Sequence, residues 1–153
     1  MPSLTVAYSS PHATAAGRKA EVARLVTDLT ARHLGKKRPL TAVTVTEIAA
    51  EDWFIGGRSL AELGQASHRV VVRVTEGTNT KAEKTSFVAA VHAALSGLLG
   101  PSRPESYVIV DEVRADAWGF GGETQEHRGI AEVLAAQAET SLVFDTYRRF
   151  GVR

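Results

Sequence analysis

Apolar positions along the chain follow two rhythms. Leu4–Tyr8 and Val70–Thr75 are short runs enriched in β-branched residues, which predicts strands. After the first, Val22, Leu25, Val26 and Leu29 recur on one helical stripe, and Gly35 followed by Pro39 predicts the helix stop. After the second, Thr80-Lys81-Ala82-Glu83 has the residue types of a capping box. That helix carries an apolar stripe of Phe87, Val88, Val91, Leu95 and Leu98, and Gly100-Pro101 ends it.

The two halves are copies. Val43 to Gly57 reads VTVTEIAAEDWFIGG and Val108 to Gly122 reads VIVDEVRADAWGFGG, with seven of fifteen positions identical. Trp53 and Trp118 are 65 residues apart, as are the helix-ending Gly35 and Gly100. Order, spacing and both tryptophans together imply a tandem duplication. Each copy reads strand–helix–strand, and strands that flank a helix of this length are expected to be parallel neighbours. The expected fold class is α+β: tandem βαβ repeats forming a four-stranded sheet with two helices on one face. The other face would expose apolar surface, and oligomerisation is the simple way to cover it.

The expected organisation is one compact domain. It comprises a first repeat over 2–57, a linker rich in small and polar residues over 58–67, a second repeat over 68–122 and a tail over 123–153. The tail predicts a helix over Ile130–Ala138, then the apolar Leu142–Phe144, then Tyr147-Arg148-Arg149-Phe150, a helix/strand extension without a counterpart in the first copy. The Gly-Gly pairs at Gly56-Gly57 and Gly121-Gly122 predict tight turns, since glycine takes φ > 0 at little steric cost. A phosphate-cradling loop would have to open a helix after a strand, and neither pair does.

Composition narrows the function classes. The chain has 153 residues, 44% hydrophobic and 23% charged, which suits one ordinary domain. The formal charge of +1 gives no basic stripe, and the strands lack the aromatic pattern of RNA-binding sheets, so nucleic acid is not an expected partner. No apolar run approaches 18 residues, so no membrane span is expected and the expected location is cytoplasmic. Cysteine is absent, which excludes thiolate chemistry and cysteine–zinc sites. The five histidines show no ligand spacing, so neither a metal nor another cofactor is expected.

The sequence opens Met-Pro, and a proline after the initiator methionine usually permits its removal. Pro2, a short strand, a helix, a second strand with Thr46-Glu47 and the Phe54-Ile55-Gly56-Gly57 turn together resemble the 4-oxalocrotonate tautomerase group of the tautomerase superfamily. With the second βαβ unit ending in Trp118-Gly119-Phe120-Gly121-Gly122, the chain is similar to the fused members of that group over about residues 2–122. The resemblance implies a homotrimer equivalent to the hexamer of the short members. It implies a cofactor-independent isomerase acting on a small anionic or enolic molecule.

Read alone, Pro2 is an ordinary strand-start proline. The resemblance implies that its freed secondary amine is the catalytic base. Burial and nearby cations lower the pKa of such an amine, and a neutral one can take a proton from carbon or an enol hydroxyl and return it elsewhere. The family's substrate-binding arginines have no match: the corresponding positions are His12, Thr78, Ala42 or Thr44, and Tyr107. Arg58, Arg69, Arg73 and Arg114 are other sources of charge. The candidate substrate-binding residues are His12, Trp53, Arg73, Tyr107 and Trp118, with the tryptophans at the position of the family's aromatic wall. At the start of the second copy stands His68, whose backbone nitrogen is an amide. One site per chain is therefore expected. The alternatives are a non-catalytic trimeric binding or structural protein, and a hydratase- or dehalogenase-type reaction on the same proline, though the latter branches also lean on arginines.

Overall fold

The computed structural model describes residues 1–12 and 15–150, with the side chains of residues 144–147 and 149–150 outside that description. Two compact units divide the chain, Met1–Glu112 and Val113–Arg153.

In the first unit, β1 (Ser3–Ser9) alternates buried and accessible residues. It is followed by α1 (Arg18–Leu34), which ends on left-handed Gly35 at φ 63°, and a 3-10 turn at Arg38–Leu40 leads to β2 (Ala42–Glu47). The second copy supplies β5 (Ser67–Thr75), α3 (Lys81–Leu99) and β6 (Tyr107–Val113). Between the copies lie β3 (Phe54–Ile55), β4 (Arg58–Ser59) and the short α2 (Leu60–Leu63). The stretch read as a linker is thus folded. Ser59 and Glu62 close a capping box on α2, and Leu60 is fully buried.

The sheet order is β2-β1-β5-β6. β1 runs parallel to β2, with Ser3 opposite Ala42 and Tyr8 opposite Glu47. β1 is antiparallel to β5, with Ser3 opposite Arg73 and Ser9 opposite Ser67. β5 and β6 run the same way: Ser67 bonds Ser106 at one end and Arg73 pairs with Asp111 at the other. The two copies therefore meet along antiparallel central strands, and their first residues lie at opposite ends of the sheet.

One face of the sheet is covered. Leu4, Val6, Tyr8, Val70, Val72 and Val74 project into a single apolar cluster with Val22 and Val26 of α1 and Phe87, Val91, Leu95 and Leu99 of α3. The stripe of α3 runs in steps of four through Leu99. Val88, expected inside it, is 38% exposed because it lies one residue round the helix from Phe87. On the opposite face Thr5, Arg69, Arg73 and Tyr107 are exposed, Tyr107 at 63%.

The second unit is a hairpin, β7 (Gly119–Phe120) and β8 (Glu123–Thr124), leading into α4 (Gln125–Phe150). The expected strand at the end of the tail is absent: Leu142–Phe144 lies inside α4. Although those residues favour strands, Gly129 is the last glycine before residue 151 and no proline interrupts the run, so nothing stops a helix begun at Gln125. The Gly-Gly pairs form the turns expected of them, with φ of 59° and 78° at Gly56 and Gly57 and 60° and 84° at Gly121 and Gly122. Gly119 is required for a different reason: a Cβ there would lie 2.0 Å from the Glu123 carbonyl oxygen.

Candidate active site

Pro2 immediately precedes β1. Its carbonyl accepts a hydrogen bond from Ala42 N–H at 3.3 Å, so the parallel ladder starts at its oxygen and makes no demand on its nitrogen. Pro2 is buried and falls in the alternation on the side of Leu4 and Val6, beneath the helices. Arg73 lies opposite Ser3 in the register, so it shares this end of the sheet, but on the open face. Its guanidinium is held by Asp111, Nε to Oδ2 at 3.1 Å.

A cavity of the first unit lies elsewhere. About 720 Å³ in volume, it is lined by Ala7, Ile48, Trp53, Phe54, Ile55, Arg69, Glu105, Tyr107 and Ile109. The repeat segment builds it. The 3-10 turn Ala50–Asp52 turns the chain after β2, and Trp53 and the β3–β4 hairpin follow over the sheet's open face. Ala7 and Arg69 face each other across β1 and β5 at the end of β1 away from Pro2. The lining is apolar and aromatic, with one exposed guanidinium and one phenol. Glu105 is neutralised by Arg103, whereas Arg69 makes no ion pair among the described residues. Such a cavity suits a small planar molecule with one negative end.

Of the sequence-derived candidates, Trp53 and Tyr107 come together in this cavity. Pro2 and Arg73 lie toward the opposite end, and Pro2 is not among the residues that line it. His12 is outside both places, in the loop after β1; its ring comes against Gly100, and its N–H donates to Ser10 Oγ at 3.3 Å. Trp118 belongs to the second unit. There its carbonyl accepts from Gln125 N–H at 3.0 Å and its indole Nε1 is buried without a partner among the described residues. In that unit Arg128 packs over the Phe120 ring, 3.9 Å from its centre, and donates to the Phe120 carbonyl. The sequence reading passed over Ile48, Ile55 and Ile109, which look like ordinary strand or turn residues until the hairpin folds back over the sheet.

His68 occupies the start of β5. It is fully buried, and its Nε2 lies 3.3 Å from Nδ1 of His92 on α3. Burial, followed by the neighbouring imidazole's charge, pushes its pKa down to about 4, so it is neutral near pH 7. Its Nδ1 has no hydrogen-bond partner among the described residues. Beside it, Tyr8 donates to Glu47 Oε2 at 3.3 Å, and burial together with that carboxylate raises the phenol to about 12. Nothing in the sequence marks His92 beyond an imidazole in an apolar helix. No group of three or more metal-ligating side chains exists among the described residues. No helix among them is long and apolar enough to cross a membrane.

Comparison with known proteins bears on this arrangement. A family model described as tautomerase enzyme matches the chain twice, over residues 11–63 and 69–128. "Probable tautomerase K2" of Dickeya dadantii (strain 3937) is 37% identical over 59 residues, covering 39% of this chain and 88% of that protein. Among solved structures, a native fused 4-OT superposes with a TM-score of 0.70 at 25% identity, covering 82% of this chain and 98% of its own. A fused 4-OT wild-type symmetric trimer superposes with a TM-score of 0.70 at 21% identity, covering 83% and 98%. The fold is that of tandem βαβ units shared with these proteins.

Proposed function

We propose a function from one established premise: the chain belongs to the tautomerase family. On that premise it is a cofactor-independent tautomerase or isomerase of a small enol or keto acid, with Pro2 as general base once Met1 is removed. The observation that carries this reading is the setting of Pro2, buried immediately before β1 with a nitrogen the ladder does not use. As a free secondary amine in that setting, Pro2 is disfavoured as an ammonium by desolvation. Its neutral nitrogen accepts a proton from the enol hydroxyl or from carbon and returns the same proton at another carbon. Atoms and charge balance without any further reactant.

The aromatic cavity supplies the binding half of the site. Trp53 stacks on the planar substrate, Arg69 meets its anionic end, and the Tyr107 hydroxyl donates to the oxygen on which negative charge develops. Within one chain this cavity and Pro2 lie toward opposite ends of β1. The complete site therefore forms where the cavity end of one copy meets the Pro2 end of another, in a homotrimer. Fused 4-OT relatives that are trimers support that assembly. Arg73 serves the same end of the sheet through its position beside Ser3.

The test is turnover of phenylenolpyruvate and 2-hydroxymuconate by a chain whose intact mass shows that Met1 is gone. Pro2→Ala is expected to lower turnover by about 10²- to 10⁴-fold, with an unchanged circular dichroism spectrum. Turnover like that of the unmutated chain would end the proposal.

A further inference from the structure

Beyond residue 128, where the family match ends, α4 continues to Phe150. From Gly129 to Val143 every residue of it is exposed, and Ile130, Val133 and Leu134 are each more than half exposed. Helices in folded chains take most of their stability from burying an apolar face, and here that face is open. At 3.6 residues per turn, Glu126, Ile130, Val133, Leu134, Ser141 and Arg148 fall on one side of α4. Glu132 and Glu139 fall on the opposite side. Arg128 is engaged with the hairpin, over the Phe120 ring and 3.6 Å from Glu123.

The charges on the apolar side are ordered. A carboxylate, Glu126, stands near its start and a guanidinium, Arg148, near its end. Neither makes an ion pair among the described residues. Halfway between them, on the same side and exposed, stands Gln137. Laid antiparallel on a second copy of itself about Gln137, α4 sets Glu126 against the partner's Arg148 at both ends. It also sets Val133 against the partner's Ser141, a large side chain over a small one. A parallel pair would set like charge against like at both ends. The charge order therefore selects a second copy of this chain as occupant and selects its direction. Exposed ion pairs contribute little attraction, so the apolar stripe supplies the affinity and the charges supply the orientation.

We propose that α4 is a self-association element: two copies of this chain pair their α4 helices antiparallel through Ile130, Val133 and Leu134, doubling the assembly that the rest of the chain forms. The pairing does not depend on Pro2; with the trimer proposed above, it joins two trimers. The test is sedimentation equilibrium of the full chain. Its mass is expected to be twice that of Leu134→Glu, whatever number of chains the variant holds. Glutamate is a good helix former and the position is exposed, so the variant keeps its circular dichroism spectrum. Leu134→Glu is expected to raise the concentration at which the pair separates by about a hundredfold, since two leucines leave each interface. Glu126→Arg and Arg148→Glu are each expected to raise it by about tenfold, and an equimolar mixture of the two to recover most of the loss. Pro2→Ala, which judges the base, leaves the mass unchanged. Equal masses for the unmutated chain and Leu134→Glu overturn the proposal. Charge variants that do not recover on mixing also overturn it, because α4 would then meet another surface.

Discussion

The two copies start their central strands with different chemistry. At β1, Pro2 lies between loops that carry Lys36 and Thr78. At β5, in the corresponding place at the other end of the sheet, His68 is sealed in the core against His92. Around the first strand start an ammonium is held by a hydroxyl. Around the second, Ser10 Oγ donates to the Leu99 carbonyl and Arg18 to the Leu98 carbonyl, so the polar side chains are spent on closing the end of α3. Duplication supplied two equivalent positions, and at the second the nearby charges are engaged with protein partners, Arg18 with the Leu98 carbonyl and Glu47 with the Tyr8 hydroxyl. That position holds a neutral imidazole whose second nitrogen has no partner among the described residues. The scaffold therefore tolerates a bulky side chain at a strand start, and what distinguishes Pro2 is the charge and chain position around it rather than the fold.

The sharpest way to break this comparison is to alter each strand start in turn. Pro2→Ala is expected to remove about 10²- to 10⁴-fold of turnover. His68→Gln is expected to leave turnover within about threefold, because an internal imidazole with a depressed pKa and no access to solvent is not placed to exchange protons with substrate. Equal losses in steady-state assays of the two variants would mean that both ends take part.

The second difference is in stability against acid. His68 titrates near 4 in the folded chain against an ordinary value of 6.5. Between those values the unfolded chain binds a proton that the folded one excludes. Stability is therefore full above pH 6.5, falls as pH drops toward 4 and then levels, by a total of about 3 kcal/mol. Urea midpoints measured at pH 7.5 and pH 4.5 should fall more steeply for the unmutated chain than for His68→Gln. Parallel falls would place the sensitivity in other groups.

Much of the fold was legible because it rests on local signals. The duplicated Trp-x-x-Gly-Gly segments announced both hairpins, Thr80 and Glu83 announced the start of α3, and the valine-rich runs announced β1 and β5. What failed were decisions made by context. Leu142–Phe144 favours a strand by composition, yet it continues a helix that nothing interrupts. Of the candidate site, Trp53 and Tyr107 were found and do share a cavity; Trp53 lies away from Pro2 because β2 runs parallel to β1, and Tyr107 because the two copies pair antiparallel, which no single segment encodes.

The cavity offers a smaller test of the split between the two ends. Trp53→Ala is expected to raise KM by about tenfold, as a stacking wall of the proposed binding half is lost. Tyr107→Phe is expected to lower kcat by about tenfold or more with little change in KM, since a donor to developing charge acts mainly in the transition state. His12→Ala, outside both places, should change neither. If Trp53→Ala leaves steady-state kinetics unaltered, the cavity is not the substrate's.

The smallest effect contrasts the two helices that cover the sheet. α3 opens on Thr80, whose hydroxyl accepts from Glu83 N–H at 3.2 Å while the Glu83 carboxylate accepts from Thr80 N–H at 2.8 Å. α1 opens on Gly17 at φ 85° with no side-chain cap. The bond from Thr80 N–H is the main reason the Glu83 carboxyl titrates below its ordinary value. Glu83's half of the cap is accordingly present above the usual carboxylate pKa and lost as pH falls through the lowered one. Thr80→Ala removes the hydroxyl acceptor and should cost about 1 kcal/mol, read as a lower urea midpoint at pH 7. A urea midpoint unchanged from that of the unmutated chain would show that the cap contributes nothing measurable to α3.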